Sequence, residues 1–328
     1  MPKPPVHPVR WQPPPVGVLP DFGPADLTLV PMPGEAPEDI VVDDDGVLWT
    51  GLIDGRVVRI DADGSTRVVA DTGGRPLGLA VSRDGRLLIC DSPRGLLAMD
   101  RDTGALEVLV DSVGGRRLQF CSNVTETLDG TIYFTESTAN FTYEHFKGPI
   151  LEARGDGSLF RRDTDGTVST AVSNLYFANG LTPTVDGTAL VFAETQGRRL
   201  SKYWLTGPDA GTVTPLAVNL SGMPDNLSTG ADGRIWCAMV SPVNRAADRL
   251  ATSPPMLRKM IWRLPDRLQP QIEPVVWAVA FDPDSGEAVA GVQMSHPRFG
   301  TVTGLVESGG RLWMTSIAYP AVAHCAIR

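Results

Sequence analysis

The chain has 328 residues, 42% hydrophobic and 20% charged, so it can bury a large core as one all-β domain or as two smaller domains. A formal net charge of −9 and a pI near 5.0 argue against binding nucleic acid or an anionic membrane surface through a basic field, and favour a cationic ligand or a metal. Glycine (34) and proline (28) are abundant and helical periodicity is scarce, which favours many short strands joined by tight turns.

The chain begins with a proline-rich segment. Its first 24 residues contain nine prolines and lack the apolar core of a signal peptide or membrane anchor, so we expect an extended arm. No later stretch is apolar for the length of a membrane span, which favours a soluble protein, and nothing in the sequence directs it out of the cytoplasm. The four widely spaced cysteines lack zinc-site spacing and are expected to be buried thiols.

A tight turn followed by an apolar strand recurs six times along the chain. The turns are Asp45-Gly46, Asp84-Gly85, Asp129-Gly130, Asp186-Gly187, Asp232-Gly233 and Gly309-Gly310. Such turns between apolar runs are a strong hairpin signal, because their central residues adopt positive φ. The intervals of 39, 45, 57, 46 and 77 residues are near the size of a four-stranded propeller blade once insertions are allowed for. The sequence therefore predicts an all-β, six-bladed β-propeller over residues 25–328 after an arm at 1–24, with residues 25–33 as the outer strand that closes the last blade.

Three long segments interrupt this repeat and are predicted to cap one mouth of the central channel. Residues 137–149 join strands of the third blade, and residues 282–300 precede the last blade. Residues 242–264 are predicted to be helical up to about Thr252, where two prolines follow.

Four oxygen-bearing side chains share one position in the repeat. They stand six or seven residues before their turns, where the innermost strand of a blade begins: Glu38, Asn123, Asn179 and Asp225. Equivalent positions in a closed ring converge on its axis, so two carboxylates and two amide oxygens are expected at one point. Hard oxygen donors with this charge suit one divalent cation, Ca²⁺ first and Mg²⁺ or Mn²⁺ as alternatives, and do not suit zinc. The competing interpretation is that Asp and Asn before strands form turns by bonding their own backbone.

Two neighbouring residues compete for these assignments. Glu35 also precedes the first strand, but Glu38 keeps the seven-residue spacing to its turn. Asn226 follows Asp225, and adjacent residues of a regular strand point to opposite faces, which favours Asp225.

Further candidates for the lining of a pocket come from the insertions and from the last blade. The chain has no Gly-x-Ser-x-Gly elbow, and its four histidines offer no clear partner for a serine triad. His145 and His296 lie in the predicted capping insertions and are candidates for the pocket, with a solvated role as the alternative. The equivalent repeat position holds Leu77 in the second blade and Val302 or Thr303 in the sixth, which makes Thr303 a further candidate.

The expected chemistry follows from a cation at this point. A divalent ion could polarise an ester or lactone carbonyl, lower the pKa of a bound water and stabilise the resulting oxyanion. Asp225 could combine ligation with the role of general base. The sequence therefore favours a hydrolase that acts on a small-molecule lactone or ester.

Five motifs carry a family resemblance. They are "PEDI" at 37–40, "SNVTETLDGTIYFTES" at 122–137, "FANGL" at 177–181, "FAET" at 192–195 and "GMPDNLS" at 222–228. These motifs resemble the strictosidine synthase-like branch of the gluconolactonase/regucalcin (senescence marker protein) superfamily, and in pattern they are nearest to the adipocyte plasma membrane-associated protein type. The resemblance implies a six-bladed propeller with Ca²⁺ or a related ion held by one Glu, two Asn and one Asp, which correspond to Glu38, Asn123, Asn179 and Asp225. It also implies lactone, aryl ester or phosphotriester substrates, with the metal-bound Asp as base or nucleophile.

The sequence departs from this family in two places. Strictosidine synthases use a catalytic Glu on the innermost strand of the last blade, where this chain has Thr303 or Gly304, and Glu307 lies too close to the following turn to replace it. The membrane-associated relatives carry an N-terminal anchor, whereas this chain has only the arm. A metal-dependent hydrolase is therefore the first hypothesis, a non-catalytic binding module with a structural ion the second, and a condensing enzyme the third. The oligomeric state is left open.

Overall fold

Tight turns join the first and second strands of six antiparallel sheets in the computed structural model, which describes residues 3–327. They are the six turns expected from the sequence, and each contains a glycine at positive φ, as at Gly46 (78°) and Gly233 (89°). Because glycine adopts this conformation without strain, it fixes where one strand ends and the next begins. The predicted all-β, six-bladed β-propeller is confirmed.

Each sheet has four strands, and five of the sheets are continuous in sequence. Strand β1 (Thr28–Pro31) comes first in the chain and belongs to the last sheet. The first sheet contains β2 (Ile40–Val42), β3 (Leu48–Gly51), β4 (Arg56–Ile60) and β5 (Thr66–Asp71). The second contains β6 (Arg75–Val81), β7 (Leu87–Ser92), β8 (Gly95–Met99) and β9 (Leu106–Val110). A small separate hairpin follows, formed by β10 (Ser112–Val113) and β11 (Arg116–Arg117).

The remaining sheets follow the same order. The third contains β12 (Cys121–Glu126), β13 (Ile132–Glu136), β14 (Gly157–Arg162) and β15 (Val168–Leu175). The fourth contains β16 (Ala178–Pro183), β17 (Ala189–Glu194), β18 (Arg199–Trp204) and β19 (Val213–Ala217). The fifth contains β20 (Gly222–Thr229), β21 (Ile235–Pro242), β22 (Val276–Phe281) and β23 (Ala288–Met294). The sixth contains β24 (Val302–Ser308), β25 (Arg311–Ser316), β26 (Ala321–Ala326) and β1.

The sheets close into a ring around a central channel. The first strand of each sheet contacts the first strands of its two neighbours, so these strands surround the axis. Strand β1 pairs with β26 and places Thr28 opposite His324 and Pro31 opposite Ala321, which confirms the closing strand predicted within residues 25–33. All four cysteines are buried, as expected, among the apolar side chains that pack between sheets.

Two insertions leave the sheets at the end of the channel where the innermost strands begin. The first follows β13 and carries a 3-10 turn at Tyr143–His145 and helix α1 (Lys147–Glu152). The second follows β21 and carries α2 (Arg245–Thr252), α3 (Pro255–Trp262) and a 3-10 turn at Asp266–Leu268. The predicted end of a helix near Thr252 is confirmed, but α3 was not predicted.

The third predicted insertion, residues 282–300, was wrong in part. Most of its middle forms β23, the outer strand of the fifth sheet, which pairs with β22 over its whole length. Its alternation is weak because an outer strand is half exposed, and Gly291 lies in its middle against the ring of Phe22.

The N-terminal arm, residues 3–24, lies without helix or strand across the insertions. Val6 is buried against α1 and α3, and the Val9 amide donates to the backbone oxygen of Glu152 at 2.9 Å. The indole of Trp262 in α3 donates to the Pro4 oxygen at 2.7 Å. Within residues 3–327, no helix has the length and apolar character needed to cross a lipid bilayer.

Candidate functional site

Five of the six innermost strands carry a β-bulge at equivalent positions. Register shifts lie between Pro76 and Leu79 in β6, and the same shift recurs in β12, β16, β20 and β24. In a bulge, two residues oppose one on the partner strand, and the regular alternation of side chains is interrupted. Two consecutive residues per blade can therefore reach the channel.

These paired residues form two rings around the axis. We call the first the mouth ring: Glu38, Leu77, Ser122, Asn179, Asp225 and Thr303. The second, one residue further along each strand, is the channel ring: Asp39, Gly78, Asn123, Gly180, Asn226 and Gly304. All members of the mouth ring except Leu77 line the floor of a pocket beneath the insertions. Asp39 and Asn123 instead line a cavity at the opposite mouth.

Hydrogen bonds orient the polar side chains of the mouth ring. The Asn179 amide donates to Asp225 Oδ1 at 2.7 Å and to Thr195 Oγ1 at 3.0 Å. The Ser122 hydroxyl donates to Asn179 Oδ1 at 3.1 Å. Glu38 Oε1 accepts the Asn226 amide at 3.3 Å, whereas Glu38 Oε2 is buried without a hydrogen-bond partner. A buried carboxylate oxygen without a partner is costly unless a cation or a proton satisfies it.

The channel ring forms a separate hydrogen-bonded layer. Asn123 Nδ2 donates to Asn226 Oδ1 at 3.0 Å and to Asp39 Oδ2 at 3.4 Å. Asn123 Oδ1 accepts the Leu181 amide at 3.2 Å, and Asp39 Oδ2 also accepts the Leu79 amide at 2.9 Å. Asn123 is thus oriented by the channel ring.

The structure brings three of the four predicted ligands together and places the fourth one layer away. Glu38, Asn179 and Asp225 belong to the mouth ring, but Asn123 belongs to the channel ring, and Ser122 takes the place expected for it. A sequence signal existed, because Ser122, not Asn123, stands seven residues before its turn.

The alternation argument preferred Asp225 to Asn226, and of the two only Asp225 lines the pocket, but its premise fails at this point. It assumes a regular strand, whereas the bulge directs both Asp225 and Asn226 toward other blades, where they bond to Asn179 and Glu38 respectively.

The other pocket candidates have different outcomes. Thr303 lines the pocket, and its hydroxyl donates to the Glu38 backbone oxygen at 2.6 Å. His145 lies outside it, in an adjoining cavity, edge-on to Trp262 with ring centroids 6.0 Å apart. His296 is not among the lining residues, and its Nδ1 accepts the Arg298 amide at 3.3 Å in the loop after β23.

Burial and like charge act on the carboxyl groups near the axis. Burial, followed by the nearby Asp225 and Asp39 carboxyls, raises the pKa of Glu38 well above its usual range. Burial raises the pKa of Asp225 to about 8 and that of Asp39 to about 7. The positive charge of Arg75 acts in the opposite direction and lowers the pKa of Glu38. The Arg75 guanidinium stacks on the Tyr143 ring, 4.8 Å from the ring centroid.

The donor set at the mouth ring fits a hard divalent cation. It combines the Glu38 and Asp225 carboxylates with the Asn179 and Ser122 oxygens, and the partnerless Oε2 of Glu38 provides a free acceptor. Among residues 3–327, no three His, Cys, Asp or Glu side chains lie together as a metal site by themselves. A cation here would therefore depend on amide and hydroxyl oxygens as well as on carboxylates.

The pocket above the ring has a cavity of about 180 Å³ with mostly apolar walls. Sequence reasoning missed its aromatic residues: Phe120, Tyr143, Phe146 and Phe177. A signal existed for two of them, since Phe120 and Phe177 each stand two residues before a member of the mouth ring. Trp11 of the arm also lines the pocket and stacks on Tyr176 at 5.2 Å.

Comparison with known proteins agrees with this architecture. Residues 33–251, more than half of the chain, match the SMP-30/gluconolactonase/LRE-like region. The chain belongs to this family.

Its curated relatives include plant and animal proteins. Strictosidine synthase-like protein 6 of Arabidopsis thaliana is 36% identical over 69% of this chain, and strictosidine synthase-like protein 4 is 30% identical over 88%. The adipocyte plasma membrane-associated protein of Salmo salar is 32% identical over 66%. The matched stretches cover 62%, 78% and 58% of those relatives, so the chain spans less than two thirds of the length of two of them.

Solved structures share the fold. A gluconolactonase from Xanthomonas campestris superposes with a TM-score of 0.68 at 19% identity, covering 100% of this chain and 99% of its own. A calcium-binding regucalcin from Agrobacterium tumefaciens superposes with a TM-score of 0.66 at 18% identity, covering 94% and 96%. At this identity, the likeness supports the propeller fold.

Proposed function

We propose that this protein is a divalent-cation-dependent hydrolase of lactones or esters, with Ca²⁺ as the expected ion and Mg²⁺ or Mn²⁺ as alternatives. The observation that carries the proposal is the buried, partnerless Oε2 of Glu38 beside Asp225 at the floor of a pocket. Membership of a family that includes gluconolactonases supports a lactonase-type role, and a calcium-binding structural neighbour supports the ion.

The cation would be held by Glu38, Asn179 and Asp225, with the Ser122 hydroxyl beside them. Once bound, it would withdraw electron density from a substrate carbonyl and stabilise the negative charge that develops on the oxygen. Asn179 donates to Asp225 Oδ1 and thereby orients this carboxylate at the pocket floor. Asp225 is then placed to accept a proton from an attacking water. The apolar walls limit competing solvent above the floor.

A lactone and aryl-ester panel, assayed with and without a chelator, tests the proposal. We expect turnover that chelation abolishes and Ca²⁺ restores, and a loss of at least about 100-fold in kcat in Asp225→Asn and Glu38→Gln. Glu35→Gln is the matched control, because it removes an exposed carboxylate three residues from Glu38 that is not in the mouth ring. Turnover that persists under chelation, or wild-type rates in Asp225→Asn, would refute the proposal.

A structural ion without catalysis is the second candidate. The mouth ring joins the first, third, fourth and fifth sheets, so a cation held there would stabilise the closed propeller by mass action whether or not chemistry occurs. Melting temperature and hydrolysis rate, measured along one calcium titration, separate the two. A large rise in melting temperature with no turnover of any panel member would favour the structural ion.

The condensing reaction is not supported by the last blade. Thr303 occupies its mouth-ring position and Gly304 the next, so neither supplies a carboxylate. Glu307 lies elsewhere, where its Oε2 accepts the Ala231 amide at 3.1 Å and its Oε1 accepts the Trp236 indole. We therefore do not propose a condensing activity for this chain on the basis of the names of its strictosidine synthase-like relatives.

A further inference from the structure

The walls of the pocket are built from packed aromatic rings. Phe120 meets Phe177 edge-on, with centroids 5.5 Å apart and an interplanar angle of 75°, and meets Tyr143 at 5.9 Å and 71°. Phe146 lies 6.2 Å from Tyr143 and extends the wall toward α1. The rings lie close to the Ser122 and Asn179 positions of the mouth ring, because Phe120 and Phe177 stand two residues before them, just ahead of β12 and β16.

Aliphatic side chains form another part of the wall. They come from both insertions, from the fifth sheet and from the loop after β25: Ile150, Met223, Val240, Ile272 and Ile317. Most of the surface that the lining residues present to the pocket is apolar. The pocket is therefore polar at one end and apolar over most of its remaining surface.

Two glutamines of the wall already donate to backbone oxygens within the protein. Gln196 donates to the Ile150 backbone oxygen at 2.8 Å. Gln269 donates to the backbone oxygens of Trp262 and Leu264 at 3.1 and 3.0 Å. Its Oε1 is buried without a partner, which leaves one acceptor at that point of the wall.

The two arginines of the wall are also hydrogen-bonded within the protein, and of the Arg258 nitrogens only Nε is buried without a partner. Arg198 contacts Asp248 and donates to the Pro14 oxygen at 3.3 Å. Arg258 donates to the backbone oxygens of Leu151 and Val9. A ligand with several hydroxyl groups would lose hydrogen bonds to water and regain few of them from these side chains.

We infer that the substrate is a lactone or ester whose acyl or aryl part is apolar, and not a polyhydroxylated sugar lactone. The inference rests on the proposed function for the reactive carbonyl, which lies at the mouth ring, while the apolar part packs on the aromatic wall. The cavity of about 180 Å³ has room for roughly a dozen water-sized groups, comparable to a small aryl ester or an alkyl-substituted δ-lactone.

Paired δ-lactones test this substrate class. The calcium-loaded protein should hydrolyse δ-decalactone with a kcat/KM about 100-fold above that for δ-gluconolactone, since an apolar wall disfavours unpaired hydroxyls. Comparable or faster turnover of δ-gluconolactone would overturn the inference while leaving the proposed hydrolase intact.

A matched pair of variants tests whether the aromatic wall of the pocket causes this substrate preference. Phe146→Ala removes a half-buried ring of the wall, and Phe22→Ala removes a half-buried ring that packs on the fifth sheet outside the pocket. We expect Phe146→Ala to lower kcat/KM for δ-decalactone about 10-fold relative to unsubstituted δ-valerolactone, and Phe22→Ala to leave this ratio unchanged. An unchanged ratio in a folded Phe146→Ala protein would contradict the assignment.

Binding of non-hydrolysable lactams separates the substrate class from the activity. Calorimetry should detect a pentyl-substituted δ-lactam and not gluconolactam. If no lactone is hydrolysed but the alkyl lactam binds selectively, the proposed activity fails and the apolar ligand class stands. If the sugar lactam binds as well as the alkyl lactam, or neither binds, the inferred ligand class is wrong.

Discussion

Metal-free protein should lose stability as the pH rises from about 6 to 8. The pKa of Asp225 is raised to about 8 and that of Asp39 to about 7, whereas both carboxyls have an ordinary value of 3.8 in the unfolded chain. Over this range the folded state therefore binds more protons than the unfolded state. Linkage then requires the free energy of unfolding to fall with rising pH.

The size of the loss follows from the two pKa values. Each pKa unit corresponds to about 1.4 kcal/mol, so integration from about pH 6 to 8 gives ~2 kcal/mol for Asp225 and ~1 kcal/mol for Asp39. Glu38 adds a contribution of the same sign, because its pKa is also raised. A cation at the mouth ring favours the ionised carboxylates, so calcium should stabilise the protein more at pH 8 than at pH 6.

Urea unfolding followed by fluorescence of the seven tryptophans measures this effect. The free energy of unfolding is determined near pH 6, 7 and 8, once with chelator and once with excess calcium. Asp225→Asn should remove at least its own ~2 kcal/mol of the pH dependence seen with chelator, and Glu35→Gln should leave the pH dependence unchanged. Chelated protein that is equally stable or more stable at pH 8 than at pH 6 would refute the reasoning.

Three substitutions test the packing around the site. Gly180→Ala should cost ~1–3 kcal/mol in urea unfolding, because a Cβ would lie 2.5 Å from the Asp225 backbone oxygen, and a loss below ~0.5 kcal/mol would contradict this. Arg258→Met should cost ~2 kcal/mol by removing the donor to the buried Leu151 carbonyl and to the partly buried Val9 carbonyl, and unchanged urea unfolding would show that they are otherwise satisfied. Trp262→Phe removes the hydrogen bond to the Pro4 oxygen, which should lower the free energy of unfolding by ~1 kcal/mol and speed proteolysis of the arm. Equal digestion of the variant and the wild type would exclude a role for this bond.

Local signals predicted the fold where conformation is decided within a few residues. An Asp-Gly turn such as Asp84-Gly85 requires positive φ at its glycine, so the sequence alone marks the hairpin. The outer strand β23 and helix α3 were missed for opposite reasons. Strand β23 is half exposed and has weak alternation. Helix α3 begins at Pro255. Proline interrupts a helix when it lies in the helix interior, but it is favourable in the first turn.

The site was predicted less completely because its register depends on the bulges. Counting seven residues back from the turn identified Glu38, Asn179 and Asp225, which all line the pocket. At the third blade the count took Asn123, at a spacing of six, and did not consider Ser122, at a spacing of seven. Which of two adjacent residues reaches the pocket is set by pairing with another strand, and the composition of the inner strand does not encode it.

The channel ring leaves little space for a side chain at the residue that follows each mouth-ring position. Side chains alternate with glycines around the axis: Asp39, Gly78, Asn123, Gly180, Asn226, Gly304. A Cβ on Gly78 would lie 2.4 Å from the Asn123 Cα, and one on Gly304 would lie 2.6 Å from the Asp39 Cα. Three polar side chains thus fill a channel that has no space for six.

These three side chains also support the floor of the pocket. Asn226 receives the Asn123 amide at 3.0 Å and donates to Glu38 Oε1 at 3.3 Å, so one layer orients the other. The glycines that make room for the channel ring therefore contribute to the position of Glu38. Because Oε1 is held in this way, Oε2 is the atom left without a partner, and it is the atom with which a bound cation would be expected to interact.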